Sequence, residues 1–225
     1  MSESEFPARP GRQVYVRRRG RMTRGQVRAL SELRPRYCLD PTQAEFVATS
    51  APLGIEIGFG MGQATLAWAQ QRPDWQLLGI EVYEPGIGAL MLQMEDAGVD
   101  NLRIIEADAR TLFEDWLPEA SVDQINIFFP DPWPKKRHAA RRIIQPDTLK
   151  LFSARLKQGG SLRLATDWQP YADWMLECGN AEADLVNAAP GAAFAERPAE
   201  RPITRFEQRG MRLGHGVWDL WYKKV

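Results

Sequence analysis

The chain has 225 residues, 44% of them hydrophobic, which suits one α/β domain with a full core and is short for two independent ones. Two distant cysteines, Cys38 and Cys178, exclude a disulfide framework or a Cys-based zinc site, and no apolar run reaches the ~20 residues needed to cross a bilayer. Lys plus Arg and Asp plus Glu balance at 29 each, yet residues 1–36 hold ten Arg against three Glu and Lys135–Arg142 holds five Lys or Arg and no acid.

Residues 1–24 are polar, Arg-rich and broken by Pro7, Pro10 and Gly11, the composition of a mobile arm. The start lacks the apolar stretch of a secretory signal, so a cytoplasmic protein is expected; an Arg-rich start also suits a transit peptide, against which Glu3 and Glu5 argue. The expected division is an arm over 1–36 and one domain over 37–225. From about residue 52, short apolar runs alternate with amphipathic stretches, the βαβ pattern of a mostly parallel sheet. Strands are expected at Leu53–Ile57, Leu77–Val82, Leu102–Ala107, Val122–Phe129 and Ser161–Ala165, with a final one at Val217–Tyr222. Helices are expected at Gln63–Gln71, Glu84–Gln93, near Ala109–Trp116, at Pro146–Lys157 and at Asp167–Cys178. The fourth has Pro at its start and Gly159-Gly160 just past its end. Residues 188–202, rich in Ala and Pro, read as a loop.

Gly58, Gly60 and Gly62 sit where the first strand ends and a helix begins, so the backbone can turn sharply and approach a ligand. A glycine turn without a ligand is the plainer alternative. The spacing is G-x-G-x-G rather than the dinucleotide G-x-G-x-x-G, with Gln63 where the third glycine would fall. Glu56 lies inside the preceding strand, where a carboxylate does nothing for a pyrophosphate but attracts a cationic amino-acid end. S-adenosylmethionine carries such an α-ammonium, besides its sulfonium. Glu81 ends the second strand and can accept from ribose hydroxyls, or simply face solvent. Asp108 follows the third strand and can take an adenine amino group, or cap the next helix. Acids at three successive strand ends form one cleft at the carboxyl edge of a doubly wound sheet.

The most specific stretch is Phe129-Pro130-Asp131-Pro132-Trp133-Pro134-Lys135-Lys136-Arg137-His138. Asp131 and Trp133 each lie between two prolines, whose fixed φ gives the side chains a set direction, for a substrate or for a merely stiff loop. Trp133 can stack on an unpaired base or pack against the sheet edge. The basic run can meet phosphates or form a solvated face. His138 has no second ligand type at metal spacing, so no metal is expected.

These residues resemble the signature of bacterial tRNA (guanine-N7)-methyltransferases. The resemblance extends to Glu56-Ile57-Gly58-Phe59-Gly60-Met61-Gly62 and to Thr204–Leu220, and covers roughly residues 50–225. It implies a Rossmann-like class I methyltransferase fold, a mostly parallel sheet with a last antiparallel strand. It also implies transfer of methyl from S-adenosylmethionine to N7 of a guanine at position 46, in the variable loop of tRNA. Carried onto this chain, Asp131 is catalytic, and Glu56, Gly58, Gly60, Gly62, Glu81, Asp108 and Asp131 hold the cofactor. Lys135, Asp167, Thr204, Arg205, Phe206 and Glu207 bind substrate, and Arg137, His138, Arg141 and Arg142 meet RNA. The family has further polar or basic residues where this chain has Ala139 and Ala140. A monomer or homodimer fits equally. The rival readings are a nicotinamide oxidoreductase, a small-molecule methyltransferase and a non-catalytic RNA-binding protein retaining the fold. The glycine spacing, the basic run and the acidic strand ends disfavour them in turn.

Overall fold

The computed structural model describes residues 20–43, 46, 50–189, 191–199, 201–212, 214 and 216–225; within 205–212 the side chains of 205, 206, 209 and 211 are left aside. Residues 1–19 of the expected arm lie outside the described residues. Seven strands, β1 (Leu53–Ile57), β2 (Gln76–Glu81), β3 (Leu102–Glu106), β4 (Val122–Phe128), β5 (Leu156–Thr166), β6 (Leu185–Asn187) and β7 (Trp218–Lys224), form one sheet in the order β3-β2-β1-β4-β5-β7-β6. Strands β1 to β5 run parallel, and β7 lies antiparallel between β5 and β6. The expected doubly wound sheet with a last antiparallel strand is what the chain forms. Its order reverses beside β1 and β4, the switch point where such sheets open a crevice at their carboxyl ends.

Strand β1 is buried at all five positions, as a strand covered on both faces must be. Period-two alternation divides the core. Leu78 and Ile105 face one cluster with Phe113, Phe152 and Tyr171, and their neighbours Leu77 and Ile104 face another with Trp68, Met91 and Met94.

Before β1 come α1 (Arg24–Glu32) and α2 (Arg34–Tyr37), and after it α3 (Gln63–Gln71), α4 (Glu84–Ala97), α5 (Ala109–Asp115), α6 (Pro146–Arg155), α7 (Gln169–Ala181) and α8 (Arg205–Arg212). The first two fall inside the segment expected as an arm. Thr23 and Gln26 form a reciprocal capping box, and Gln26 Nε2 donates to the Pro85 carbonyl at 2.9 Å. Ala29, Leu33 and Tyr37 recur every fourth residue and are buried. Arg28, Arg34 and Arg36 pair with Glu95, Glu106 and Asp100. An apolar stripe under the arginines thus docks residues 24–37 on α4 and β3, so packed structure starts ahead of residue 37.

The helix expected to reach Lys157 ends at Arg155, and β5 starts at once. Its pairing with β4 shifts register between Val122 and Gln124, where Gly159 takes φ 74°. Gly159-Gly160 therefore marks an irregularity inside a strand rather than a helix end. The short β6 and α8 lie outside the expected elements. No helix among the described residues is long and apolar enough to cross a membrane.

Candidate active site

The glycine turn is held in a shape that only glycine adopts cheaply. Gly58, Gly60 and Gly62 have φ of 72°, 56° and 78°. A Cβ at Gly62 would strike Leu90 at 2.7 Å, whereas one at Gly58 or Gly60 would meet open space. From behind, α4 presses so closely that a Cβ at Gly86 would lie 2.0 Å from the Gly60 carbonyl oxygen.

Two adjoining clefts share Gly58 and Phe129 in their linings. The smaller, about 220 Å³, is lined by Glu81, Asp108 and Asp131 among apolar strand-end residues. The larger, about 630 Å³, is lined by Glu56, the turn from Gly58 to Ala64, Arg201 and Thr204. Of the three strand-end acids expected in one cleft, Glu81 and Asp108 line the smaller and Glu56 the adjoining larger one.

Glu81 ties the turn down. Its Oε2 accepts from the Gly60 amide at 2.9 Å, and its Oε1 from the amides of Val82 at 2.7 Å and Tyr83 at 3.2 Å. Burial raises its pKa, against those three amides. A carboxylate has about four acceptor sites, so one remains for a ligand. Asp108 caps α5: Oδ1 accepts from the amide and hydroxyl of Thr111 at 2.9 and 3.1 Å. Its Oδ2 is buried without a partner, so the cap leaves half the carboxylate available. Burial raises this pKa too.

Glu56 is 3% exposed and its Oε2 has no hydrogen-bond partner. Burial pushes its carboxyl up to about 7, opposed by the Thr65 side chain and the Arg201 charge. A buried carboxyl with an unpartnered oxygen beside a large opening suits a cationic donor.

Strand β4 runs into the proline-rich loop through two aromatic residues in the left-handed region, Phe129 at φ 52° and Trp133 at φ 43°. Non-glycine residues held there store about 1–3 kcal/mol each and concentrate at functional sites. Asp131 is exposed at the lip of the smaller cleft. Trp133 packs within its own loop, with the Arg141 guanidinium 3.9 Å from its ring centroid and His138 edge-on at 5.6 Å.

The basic run divides in two. Lys135, Lys136 and Arg137 are exposed at the start of a 3-10 helix, Lys136–Arg141. Arg142 instead points inward: Nε donates to the Pro132 carbonyl at 2.9 Å and the guanidinium lies over Tyr171 at 5.0 Å. Burial and the neighbouring cations Arg137, Arg141 and Lys135 lower the His138 pKa. Asp167 is half-buried just after β5 and lines neither cleft. Thr204 Oγ1 accepts from the Glu207 amide at 3.2 Å, capping α8 at the rim of the larger cleft. The side chains of Arg205 and Phe206 lie outside the described residues.

Sequence reasoning assigns no role to Arg201. Its Nη1 donates to Glu207 at 2.8 Å and its Nη2 to Asp219 at 2.9 Å, all three side chains being buried. Nothing local marks it, since its partners stand 6 and 18 residues downstream. The available signal is an arginine between Glu200 and Pro202, at the end of a stretch rich in Ala and Pro.

Comparison with known proteins agrees with this arrangement. The family described as "Putative methyltransferase" matches residues 50–220. A tRNA (guanine-N(7)-)-methyltransferase of Acidovorax sp. (strain JS42) is 53% identical over 215 residues, covering 93% of this chain and 85% of the relative. The protein of that name from Methylococcus capsulatus is 47% identical over 230 residues, with both chains covered in full. Among solved structures, the 16S rRNA methyltransferase KamB shares the fold, with a TM-score of 0.53 at 15% identity over 92% of this chain and 95% of that one. Sequence kinship along nearly the whole chain and this sheet order lead to one assignment: the chain belongs to the tRNA (guanine-N7-)-methyltransferase family.

Proposed function

We propose that the protein is a cytoplasmic enzyme that transfers the methyl group of S-adenosylmethionine to N7 of a guanine in tRNA, at variable-loop position 46. One observation carries the reading. Carboxylates with acceptor capacity to spare line both clefts at the switch point, and Asp131 stands at the lip of the smaller one, a few residues from three exposed cations.

The residues fit the cofactor. Glu56 offers a buried unpartnered oxygen for an α-ammonium, and Asp108 offers another for an adenine amino group. Glu81 has one acceptor site for a ribose hydroxyl, and Gly58 and Gly60 leave room where a side chain would intrude. When bound, the cofactor supplies an electrophilic methyl on a sulfonium. Guanine N7 carries an in-plane lone pair and no proton, so no general base is required. Asp131 is the catalytic carboxylate: it stabilises positive charge as this passes toward the purine and orients the base through its N–H groups.

Lys135, Asp167, Thr204, Arg205, Phe206 and Glu207 form the substrate side. Arg137, with Lys135 and Lys136, meets phosphates; His138 and Arg141 reach RNA only by leaving Trp133, and Arg142 supports the loop from within. N7 faces the deep, narrow major groove of A-form RNA, so the target base is taken unstacked. Mass-spectrometric nucleoside analysis of tRNA incubated with the protein and labelled S-adenosylmethionine tests the reading. Labelled 7-methylguanosine is expected, and its absence sinks the proposal.

A further inference from the structure

The most enclosed cation at the larger cleft is the Arg201 guanidinium. Its two paired carboxylates come from different elements: Glu207 from the first turn of α8, and Asp219 from β7. The same guanidinium lies over the rings of Phe128 and Phe129, 5.4 and 5.3 Å from their centroids. Phe129 is the left-handed residue that starts the Asp131 loop. Arg201 also lines the cleft beside Glu56 and Thr204. One planar group thus touches the loop carrying Asp131, the helix carrying Glu207 and the antiparallel strand β7.

Enclosing a cation with two carboxylates is a weak source of stability, because desolvation offsets the attraction. What such a group supplies is geometry: arginine donates in a fixed plane, and a lysine ammonium cannot reproduce two directed bonds.

We infer that Arg201 is a positioning residue that locks the Thr204–Glu207 segment against the Phe129–Asp131 strand end, bringing the tRNA guanine and the methyl donor into line. This rests on the methyl-transfer reading above. Arg201 acts through its neighbours and need not touch either reactant.

Its charge reaches Glu56 as well. Facing that carboxylate are Arg201, the Thr65 side chain of α3 and Glu81 of β2, with Asn126 and Arg163 lining the small cavity beneath. Of these groups Arg201 is the cation whose charge eases ionisation of Glu56, against burial and the charge of Glu81. Removing its charge leaves Glu56 harder to ionise, so a cationic ligand is held only at higher pH.

Three proteins decide the matter: wild type, Arg201→Lys and Arg201→Met, each checked for folding by circular dichroism. The readouts are tRNA methylation kinetics and S-adenosylhomocysteine affinity against pH. Arg201→Lys keeps charge and loses direction. We expect kcat/KM for tRNA to fall at least about ten-fold through kcat, as misalignment near 1 Å does. Its cofactor affinity and the pH midpoint near 7 should hold. In Arg201→Met the same loss should come with a midpoint about one unit higher. If Arg201→Met does not fold, Arg201→Lys alone decides. A folded Arg201→Lys with kcat/KM within about two-fold of wild type overturns the inference. So does a folded Arg201→Met with an unmoved midpoint. Wild type that makes no 7-methylguanosine defeats the parent reading, and this one with it.

Discussion

At Glu56, burial outweighs the favourable neighbours, and the sign of that balance fixes how the site responds to pH. A carboxyl raised from 4.5 to about 7 binds more protons folded than unfolded across that interval. Its contribution to stability is therefore present at low pH and lost as pH rises through the interval. Glu56→Gln should leave the ligand-free protein near wild-type stability at pH 5. By pH 8 it should be more stable, by on the order of 2–3 kcal/mol, in denaturant melts at the two pH values. The same variant should bind S-adenosylhomocysteine at least about ten-fold more weakly at pH 8. Asp131 is the opposite case, exposed and at the lip of the cleft. Asp131→Ala should lose about 10²–10³ in single-turnover rate while keeping measurable cofactor affinity; full activity there would refute its role.

The meeting of α4 with the glycine turn is the tightest constraint at the scale of elements. A Cβ at Gly86 would overlap the Gly60 carbonyl oxygen, a backbone atom that cannot swing aside. Gly86→Ala should push the turn toward the clefts, costing about 1–3 kcal/mol of stability and most of the cofactor affinity, read by thermal melts with and without S-adenosylhomocysteine. Elements of this kind are legible in sequence where apolar runs and glycines coincide, as at Leu53–Gly62. They are not legible where the deciding neighbour is distant. The helices at 24–37 hide beneath an arginine-rich composition, although Ala29, Leu33 and Tyr37 carry helical spacing. Arg201 escapes a linear reading because its partners are brought in by β7 and α8. Trp133, which sequence leaves open between base stacking and packing, is enclosed by Arg141 and His138, an arrangement that no linear spacing specifies.

Across the whole molecule, neutral net charge conceals a division between arginines already paired and cations left open. Arg28, Arg34 and Arg36 are matched by acids of α4, β3 and the turn between them, and the exposed pairs of Arg28 and Arg36 contribute only about 0–1 kcal/mol each. Among the described residues of the proline-rich loop, the open cations are Lys135, Lys136 and Arg137. Replacing Lys135 and Arg137 by Ala should lower the log–log salt slope of tRNA binding by about 0.7–0.9 for each phosphate no longer neutralised. Arg142→Ala should leave that slope alone and reduce turnover, because its guanidinium braces the loop. A slope unchanged in the double variant would show that the run faces only solvent.

The meeting of the two clefts at Gly58 and Phe129 has one more effect. A single ligand spanning both would, on the proposed reading, have its nucleoside end in one basin and its amino-acid end in the other. Adenosine and a free amino acid could fill both basins together yet still bind feebly, since neither gains from the other's tethering. On the proposed reading the chain would recognise the bond between two common metabolites rather than either one.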